Sequence, residues 1–470
     1  MKSKRLSFIA ALLFIVTGLI VGCSSGGGGG GNSSASNTSK NIPSAVKNLS
    51  NSSTDSFKPV IVASSAGKVY VAWEEAVTNS KKEIYLAASD DSDLTVSTIK
   101  NLTTESKSYC DRTGANQGDV RMATGEDNSL YLAWLDSWTP AIPVSNVKFF
   151  REGDASCNTV SDTYRTGSNA YTPHFQLNGS GEVHIVWSED HGAQKDISYT
   201  HLEDNGGTFL PSGSPKNLSN TPSDSSEPLL GFDGSLNVTA VWVEGSEGGR
   251  SMAYSKSSDS GSNFSIPEVL PDAATDSYCP VMAKSEGGNT YIIYKGDTSI
   301  YFTRWMGNVT LLDYKFSDPV VISPQSSSAP SCPEIAISPD GTIYAVWEDS
   351  GQIWVAVNPD LDAGSLFTVL SISSAGGKSL TPKIAMDGNY SNIIWVDGSV
   401  GKEDIYFSGS IDNGASFSPP RNLTNSSEPS AAPSIASDKN GSIYVTWSEG
   451  ETGGREIYLL KDPGARGISP

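Results

Sequence analysis

From residue 59 onward the chain repeats one arrangement of apolar and polar positions. A proline opens a short alternating run, and an aromatic residue follows thirteen or fourteen positions later inside a second alternating run. Pro59/Trp73, Pro173/Trp187, Pro228/Trp242, Pro280/Tyr294, Pro333/Trp347, Pro382/Trp395 and Pro433/Trp447 keep this spacing, and Trp134 joins them with Val120 in the proline's place. In the last copy, residues 432–437 predict a first strand, 438–441 its turn and 442–449 a second strand with Ile443, Val445 and Trp447 on one face. A loop over 450–454 leads to a third strand at 455–461. The copy before it supplies a third strand at 404–410 and a fourth at 418–424. Period-two alternation of β-branched and aromatic residues, broken by Gly, Asn and Asp, is the pattern of an antiparallel meander. Beyond the first 23 residues no segment carries a helical period.

Units of about fifty residues cannot each bury an apolar face alone, so they must pack side by side. The two ends indicate how. The last copy has three strands and no fourth, whereas residues 42–53 (IPSAVKNLSNSS) copy the fourth-strand segment 418–428 (SPPRNLTNSSE) ahead of the first copy. A ring closed by pairing N- and C-terminal strands removes the open sheet edges. The fold expected is all-β: an eight-bladed β-propeller of four-stranded antiparallel blades over residues 42–470. Seven blades with one stray unit is the alternative, because the second copy is irregular.

The amino terminus stands apart. Lys2, Lys4 and Arg5 precede an apolar run from Leu6 to Gly22, too short to span a membrane comfortably, and Ile20, Val21 and Gly22 directly precede Cys23. This end resembles the lipobox of bacterial lipoproteins. The resemblance implies a signal peptide at 1–22, lipid on Cys23 and membrane attachment through that lipid. Ser24, rather than Asp, implies an outer-membrane or cell-surface address. Residues 23–41, with six consecutive glycines after the Cys23-Ser-Ser start, read as a flexible tether with a reach of roughly 25 Å.

Charge narrows the partners. With 52 acidic against 32 basic residues the formal net charge is −20, which repels nucleic acid. No cofactor is expected; divalent cations such as calcium are compatible with the acidity. Besides Cys23 there are Cys110, Cys157, Cys279 and Cys332, an even number suited to two disulfides in an exported protein. Four cysteines admit three pairings. Cys279 and Cys332 each precede a repeat proline and so occupy the same site in neighbouring units, which favours joining them and leaves Cys110 with Cys157.

A second motif lies between third and fourth strands: Ser410, Asp412, Gly414 and Phe417 in SIDNGASF, and Ser257, Asp259, Gly261 and Phe264 in SSDSGSNF. A partial copy has Asp204, Gly206 and Phe209, with Leu202 where the serine should stand. These segments resemble the Asp box of sialidase-type (BNR-repeat) propellers. The aspartate is expected to close the turn onto backbone N–H groups and the glycine to adopt positive φ. The resemblance implies a blade, not a reaction. Sialidases of this kind are six-bladed and use three arginines, a tyrosine–glutamate pair and an aspartate acid, the first arginine lying early in the ring. Here no arginine falls between Arg5 and Arg112.

A carboxylate stands two positions after seven of the repeat aromatics (Glu75, Asp136, Glu189, Glu244, Asp349, Asp397 and Glu449), and Asp297 stands three after Tyr294. An eightfold acid is expected to serve the fold, bonding backbone of the adjacent blade, rather than to form a cation-binding ring. Function is sought where the repeat breaks. The long linker 103–118 and the insert 137–171 around the second unit supply Arg112, Trp138, Arg151, Asp154, Tyr164 and Arg165, a mixture suited to a glycan or protein surface. All four histidines (His174, His184, His191 and His201) fall in the third unit, with His191 beside Glu189 and Asp190; strand alternation works against their converging on a metal. The GGKS at 376–379 lacks the first glycine and the helix of a phosphate loop. No nucleophile–base pair is visible, so no catalytic residue is assigned. The expected activity is binding of an envelope protein or surface glycan, and the rival is a sialidase-like glycoside hydrolase.

Overall fold

The computed structural model describes residues 46–462 except 79–80, 90–95, 104–114, 139–143, 155–156, 162–168, 206–208, 233–236, 272–273, 306–315, 328, 360–365, 375–377, 400 and 439. Those residues form eight antiparallel sheets and, among them, no helix. Blade 1 is Ser56–Ala63, Val69–Thr78, Lys81–Ser89 and Val96–Asn101. Blade 2, the irregular unit, is a full blade: Ala115–Thr124, Leu130–Trp138, Val144–Arg151 and Asn158–Thr159. Blade 3 is Ala170–Leu177, Val183–His191 and Gln194–Asp204, whose outer edge pairs with both Phe209–Pro211 and Lys216–Asn217. Blades 4 to 7 begin at Ser225, Ser277, Glu334 and Ser379. Blade 8 is Ser430–Ser437, Ile443–Glu449 and Glu456–Asp462, completed by Val46–Asn48. The register Val46↔Leu460, Lys47↔Leu459 and Asn48↔Tyr458 closes the ring. Eight blades are present, not seven.

The second strand of each blade carries the repeat aromatic, and all eight aromatics are at most 1% exposed. The apolar core lies at the joints rather than in one centre. Each of eight clusters draws on two successive blades; one sets Trp73 and Val71 of blade 1 against Tyr444, Ile457 and Leu459 of blade 8. A joint therefore buries what a lone sheet would expose, which is why the repeats need one another.

The repeat proline marks a β-bulge. Lys58, Thr172, Glu227, Cys279, Thr381 and Ala432, each directly before a proline, have φ between 43° and 53°, as does Asp119 before Val120. At each of these places the pairing of first and second strands slips register. Proline fits there because it has no N–H to donate and a bulge leaves one residue unpaired. Blade 6 departs: its first strand is only Glu334–Ile337, and Cys332 is not left-handed. Here the Cys279–Cys332 disulfide, with Cα atoms 5.4 Å apart, ties the start of blade 6 to blade 5. Cys157 is also disulfide-bonded; Cys110 lies outside the described residues, as does Cys23.

Candidate functional site

The repeated carboxylates have partners, and those differ from the backbone groups expected. Indole N–H groups of Trp73, Trp187, Trp242, Trp395 and Trp447 donate to Glu75, Glu189, Glu244, Asp397 and Glu449 at 2.9, 3.1, 2.9, 3.2 and 2.9 Å. Hydroxyls at the start of the first strand donate to the same acids: Ser56 to Glu75 at 2.7 Å, Ser225 to Glu244 at 2.9 Å and Ser379 to Asp397 at 2.8 Å. Asp297 accepts the backbone N–H and hydroxyl of Thr275 at 3.0 and 2.7 Å. In these five blades the acid satisfies the tryptophan of its own blade, since residues two apart share a strand face, whereas the buried Trp347 indole N–H has no hydrogen-bond partner among the described residues.

In the turns at 257–264 and 410–417 the aspartate closes the backbone and the glycine is left-handed. Asp259 Oδ1 accepts the Asn263 N–H at 2.7 Å and Asp412 Oδ1 accepts the Ser416 N–H at 2.9 Å, while Ser257 and Ser410 each take a glycine N–H at 2.8 Å. Gly261 and Gly414 have φ of 80° and 79°. A Cβ on Gly261 would fall 1.7 Å from the Tyr199 hydroxyl, and one on Gly414 2.6 Å from Val357, so each turn presses on the preceding blade. Of the third box, Asp204 pairs with Arg151, Phe209 is buried, and Gly206 lies outside the described residues.

Arg112, Tyr164 and Arg165 lie outside the described residues. Trp138 ends the second strand of blade 2, opposite Val144, whereas Arg151 ends the third strand, opposite Tyr131. Seven residues of strand separate these ends, about 24 Å at strand rise, so Trp138 and Arg151 belong to opposite faces. Arg151 is held by Asp154 and Asp204, both at 3.2 Å, and lies over the Phe209 ring at 4.7 Å. It clamps the third-to-fourth-strand turns of blades 2 and 3. His191 sits on the Trp138 face in a hairpin, 3.4 Å from Ser198 Oγ.

The other histidines are spread through blade 3. His184 is fully buried between Tyr199 and Asn178. The Asn178 amide donates to Nε2 at 3.4 Å, leaving Nδ1–H to donate to the Tyr199 oxygen at 2.7 Å. Burial, with His201 nearby, lowers its pKa to about 3. His174 Nδ1 accepts the Leu230 N–H of blade 4 at 3.2 Å; burial and Arg121 lower it to about 4. Both are neutral members of the frame. Among the described residues no group of His, Cys, Asp and Glu converges as a metal site.

Two further arginines tie joints on the face that carries Trp138. Arg250 forms a two-point pair with Asp276 at 2.8 and 2.5 Å, and Arg455 one with Asp55 at 2.9 and 2.6 Å. Arg250 lies 3.7 Å from the Tyr278 ring centre and Arg455 5.2 Å from that of Phe57. Both follow the same hairpin, EGSEGGR at 244–250 and EGETGGR at 449–455, four blades apart. The clefts lie on the opposite face. One of about 430 Å³ is bordered by first-to-second-strand turns of six blades, with Ser65, Thr124, Glu126, Glu286 and Asp438 among its walls. Others, of about 320, 590 and 270 Å³, flank the turns after the third strand in blades 3, 4 and 7.

No family model matches this chain, and no curated protein matches it in sequence. Several solved structures are similar to it over most of its length. A polysaccharide lyase described as an ulvan lyase is similar at 13% identity and TM-score 0.48, over 88% of this chain and 96% of the lyase. The NanB sialidase of Streptococcus pneumoniae is similar at 12% identity and TM-score 0.40, over 90% of this chain and 70% of the sialidase. An α-L-arabinanase of Penicillium chrysogenum is similar at 13% identity and TM-score 0.40, over 75% and 94%.

Proposed function

We propose that the chain is an exported, lipid-anchored propeller that works by binding, with a surface glycan as its ligand. The observation that supports this reading is the make-up of the clefts. They are open, a few hundred Å³ in volume, and walled by hydroxyl, amide and carboxylate groups beside occasional aromatic rings. Sugars offer hydroxyls in both hydrogen-bonding roles and apolar ring faces, and such walls answer both. Among the described arginines, Arg151, Arg250 and Arg455 are engaged by aspartates rather than free to clamp a carboxylate.

The test is a glycan array probed with the purified protein, followed by a sugar-release assay on every bound glycan. Binding without release is the expected result. Release of a terminal sugar would replace this reading with the hydrolase. A blank array, together with capture of one defined envelope protein by the purified chain, would replace it with a protein–protein role.

A further inference from the structure

Of the clefts beside the Asp boxes, that of blade 4 differs from its counterpart in blade 7 in a way the repeat does not require. The two share a plan. The start of the second strand contributes Thr239 or Asn392, the end of the third strand Lys256 or Gly409, and the box contributes Asp259 and Phe264 or Asp412 and Phe417. Blade 4 adds two side chains without counterparts: Lys256 itself, and Trp305 from blade 5. Trp305 extends the third strand of blade 5, its backbone N–H donating to the Thr290 carbonyl at 2.8 Å. Thr290 stands four before its repeat aromatic, as Val238 and Ser391 do where they pair with the box serines Ser257 and Ser410. Trp305 therefore occupies in blade 5 the place of an Asp-box serine.

The cleft measures about 590 Å³ against about 270 Å³ in blade 7. Phe316 packs edge-on to Trp305 at 5.1 Å, and Lys256 Nζ rests 3.3 Å from the Trp305 ring centre, so ring and ammonium are fixed relative to each other. On the far wall Asp259 is held by Ser257 and Asn263 at 2.7 and 2.8 Å. Asn237, exposed at the rim, completes a set with two amides, a hydroxyl, a carboxylate and an ammonium around the half-exposed Phe264 ring and the edge of the otherwise buried Trp305. Apolar surface with a few fixed polar groups, in a cavity of a few hundred Å³, is the make-up of a small-ligand site, and an aromatic wall beside donors and acceptors matches a pyranose.

We propose that this cleft between blades 4 and 5 is a saccharide-binding site, taking one or two pyranose units of a glycan with Phe264 against a C–H face and Asn237, Thr239, Lys256 and Asp259 on their hydroxyls. The proposal rests on the glycan-binding reading and names where that binding occurs.

The test is saturation-transfer NMR and titration of the purified protein with cellobiose, chitobiose, lactose and maltose. At least one disaccharide is expected to bind, with affinity roughly tenfold weaker in Asn237→Ala, the loss of one or two hydrogen bonds. Trp305→Phe, which removes the ring that holds the Lys256 ammonium, is expected to weaken it as well, whereas Ile411→Ala at the blade 7 cleft leaves it unchanged. Asn237 is at the surface, so its variant folds even where Trp305→Phe does not. A disaccharide, or a glycan from the array, whose binding is the same in wild type, Asn237→Ala and a folded Trp305→Phe overturns the site and leaves the general reading standing. Absence of binding to the four disaccharides and to every glycan on the array overturns both.

Discussion

Glu75 accepts four hydrogen bonds: from Ser52, from Thr54 at 2.5 Å, from Ser56 at 2.7 Å and from the Trp73 indole at 2.9 Å. It is 5% exposed, and two of its donors, Ser56 and the Trp73 indole, are buried with no water to fall back on. Glu75→Ala is expected to lower stability by about 2–3 kcal/mol, because unsatisfied buried donors cost more than the bond itself. Glu75→Gln, which keeps one acceptor oxygen in place, is expected to cost less than half as much. Urea titration followed by tryptophan fluorescence reads both, and equal midpoints for Glu75→Ala and wild type would remove this role. The acid two places after the aromatic is legible in the sequence as a repeat. Its partners are not, because the serine that completes the set lies nineteen residues earlier in blades 1, 4 and 8, on another strand. The same holds for the Asn-Leu-Ser/Thr run that ends several fourth strands. Ser50, Ser219 and Thr424 there accept N–H groups of Ile457, Ile197 and Ile405 at 2.9, 2.9 and 3.1 Å, a link that only the pairing of strands reveals.

At the scale of the strand, the repeat proline was readable as punctuation, but its reason was not. Only the slipped register and the left-handed residue before it show that it seats a bulge. The cysteine pairing was readable because equivalent positions in adjacent units must be neighbours. What the sequence does not disclose is that blade 6 has lost the first half of its inner strand and that the disulfide stands in for it. Ser331 still reaches across to Glu348, donating its N–H at 2.7 Å, yet regular pairing begins only at Glu334. Replacing both Cys279 and Cys332 by serine removes a link across 53 residues, an entropic loss of about 4 kcal/mol on the chain-closure estimate. The expected signature is local as well as global. Reduction or the double variant should raise amide exchange at residues 331–337 before it raises exchange at the corresponding strand of blade 7. Uniform exchange in both blades, with an unchanged melting temperature, would leave the disulfide without this function. The ligand surface read from the insert around blade 2 fared differently from the strands: loops have no period to fix their place, and strand direction sends Trp138 and Arg151 to opposite ends of one hairpin.

For the whole ring, the decisive seam lies inside blade 8, where three strands from the end of the chain meet a fourth from its start. Blades 4 and 5 share a continuous chain and the Arg250–Asp276 clamp; blades 8 and 1 share the matching Arg455–Asp55 clamp, but their union depends on three residues, Val46–Asn48, pairing with the last strand. Equal clamps at unequal joints make a comparison possible. Arg250→Ala and Arg455→Ala remove similar contacts, yet Arg455→Ala is expected to lower the melting temperature more, because opening its joint frees two sheet edges while opening the other leaves the blades tethered. Acid should act on the same pairs. The bond to Arg455 holds the Asp55 carboxyl below its ordinary value, and Arg250 does the same for Asp276. A carboxyl whose pKa is lowered by folding stabilises the fold above its unfolded value, near 3.9, and loses that contribution as pH falls through the lowered folded value. Stability measured from pH 6 downward should therefore fall below about pH 4, less steeply in Asp55→Asn and Asp276→Asn. Removing residues 1–48 tests closure directly. Blade 8 then keeps three strands with Leu459 and Leu460 on an unpaired edge, and the ring is expected to melt at lower temperature and to associate through that edge. A truncated chain that stays monomeric with the melting temperature of the intact protein would show that joint packing alone, centred on Trp73 and Tyr444, holds the ring shut.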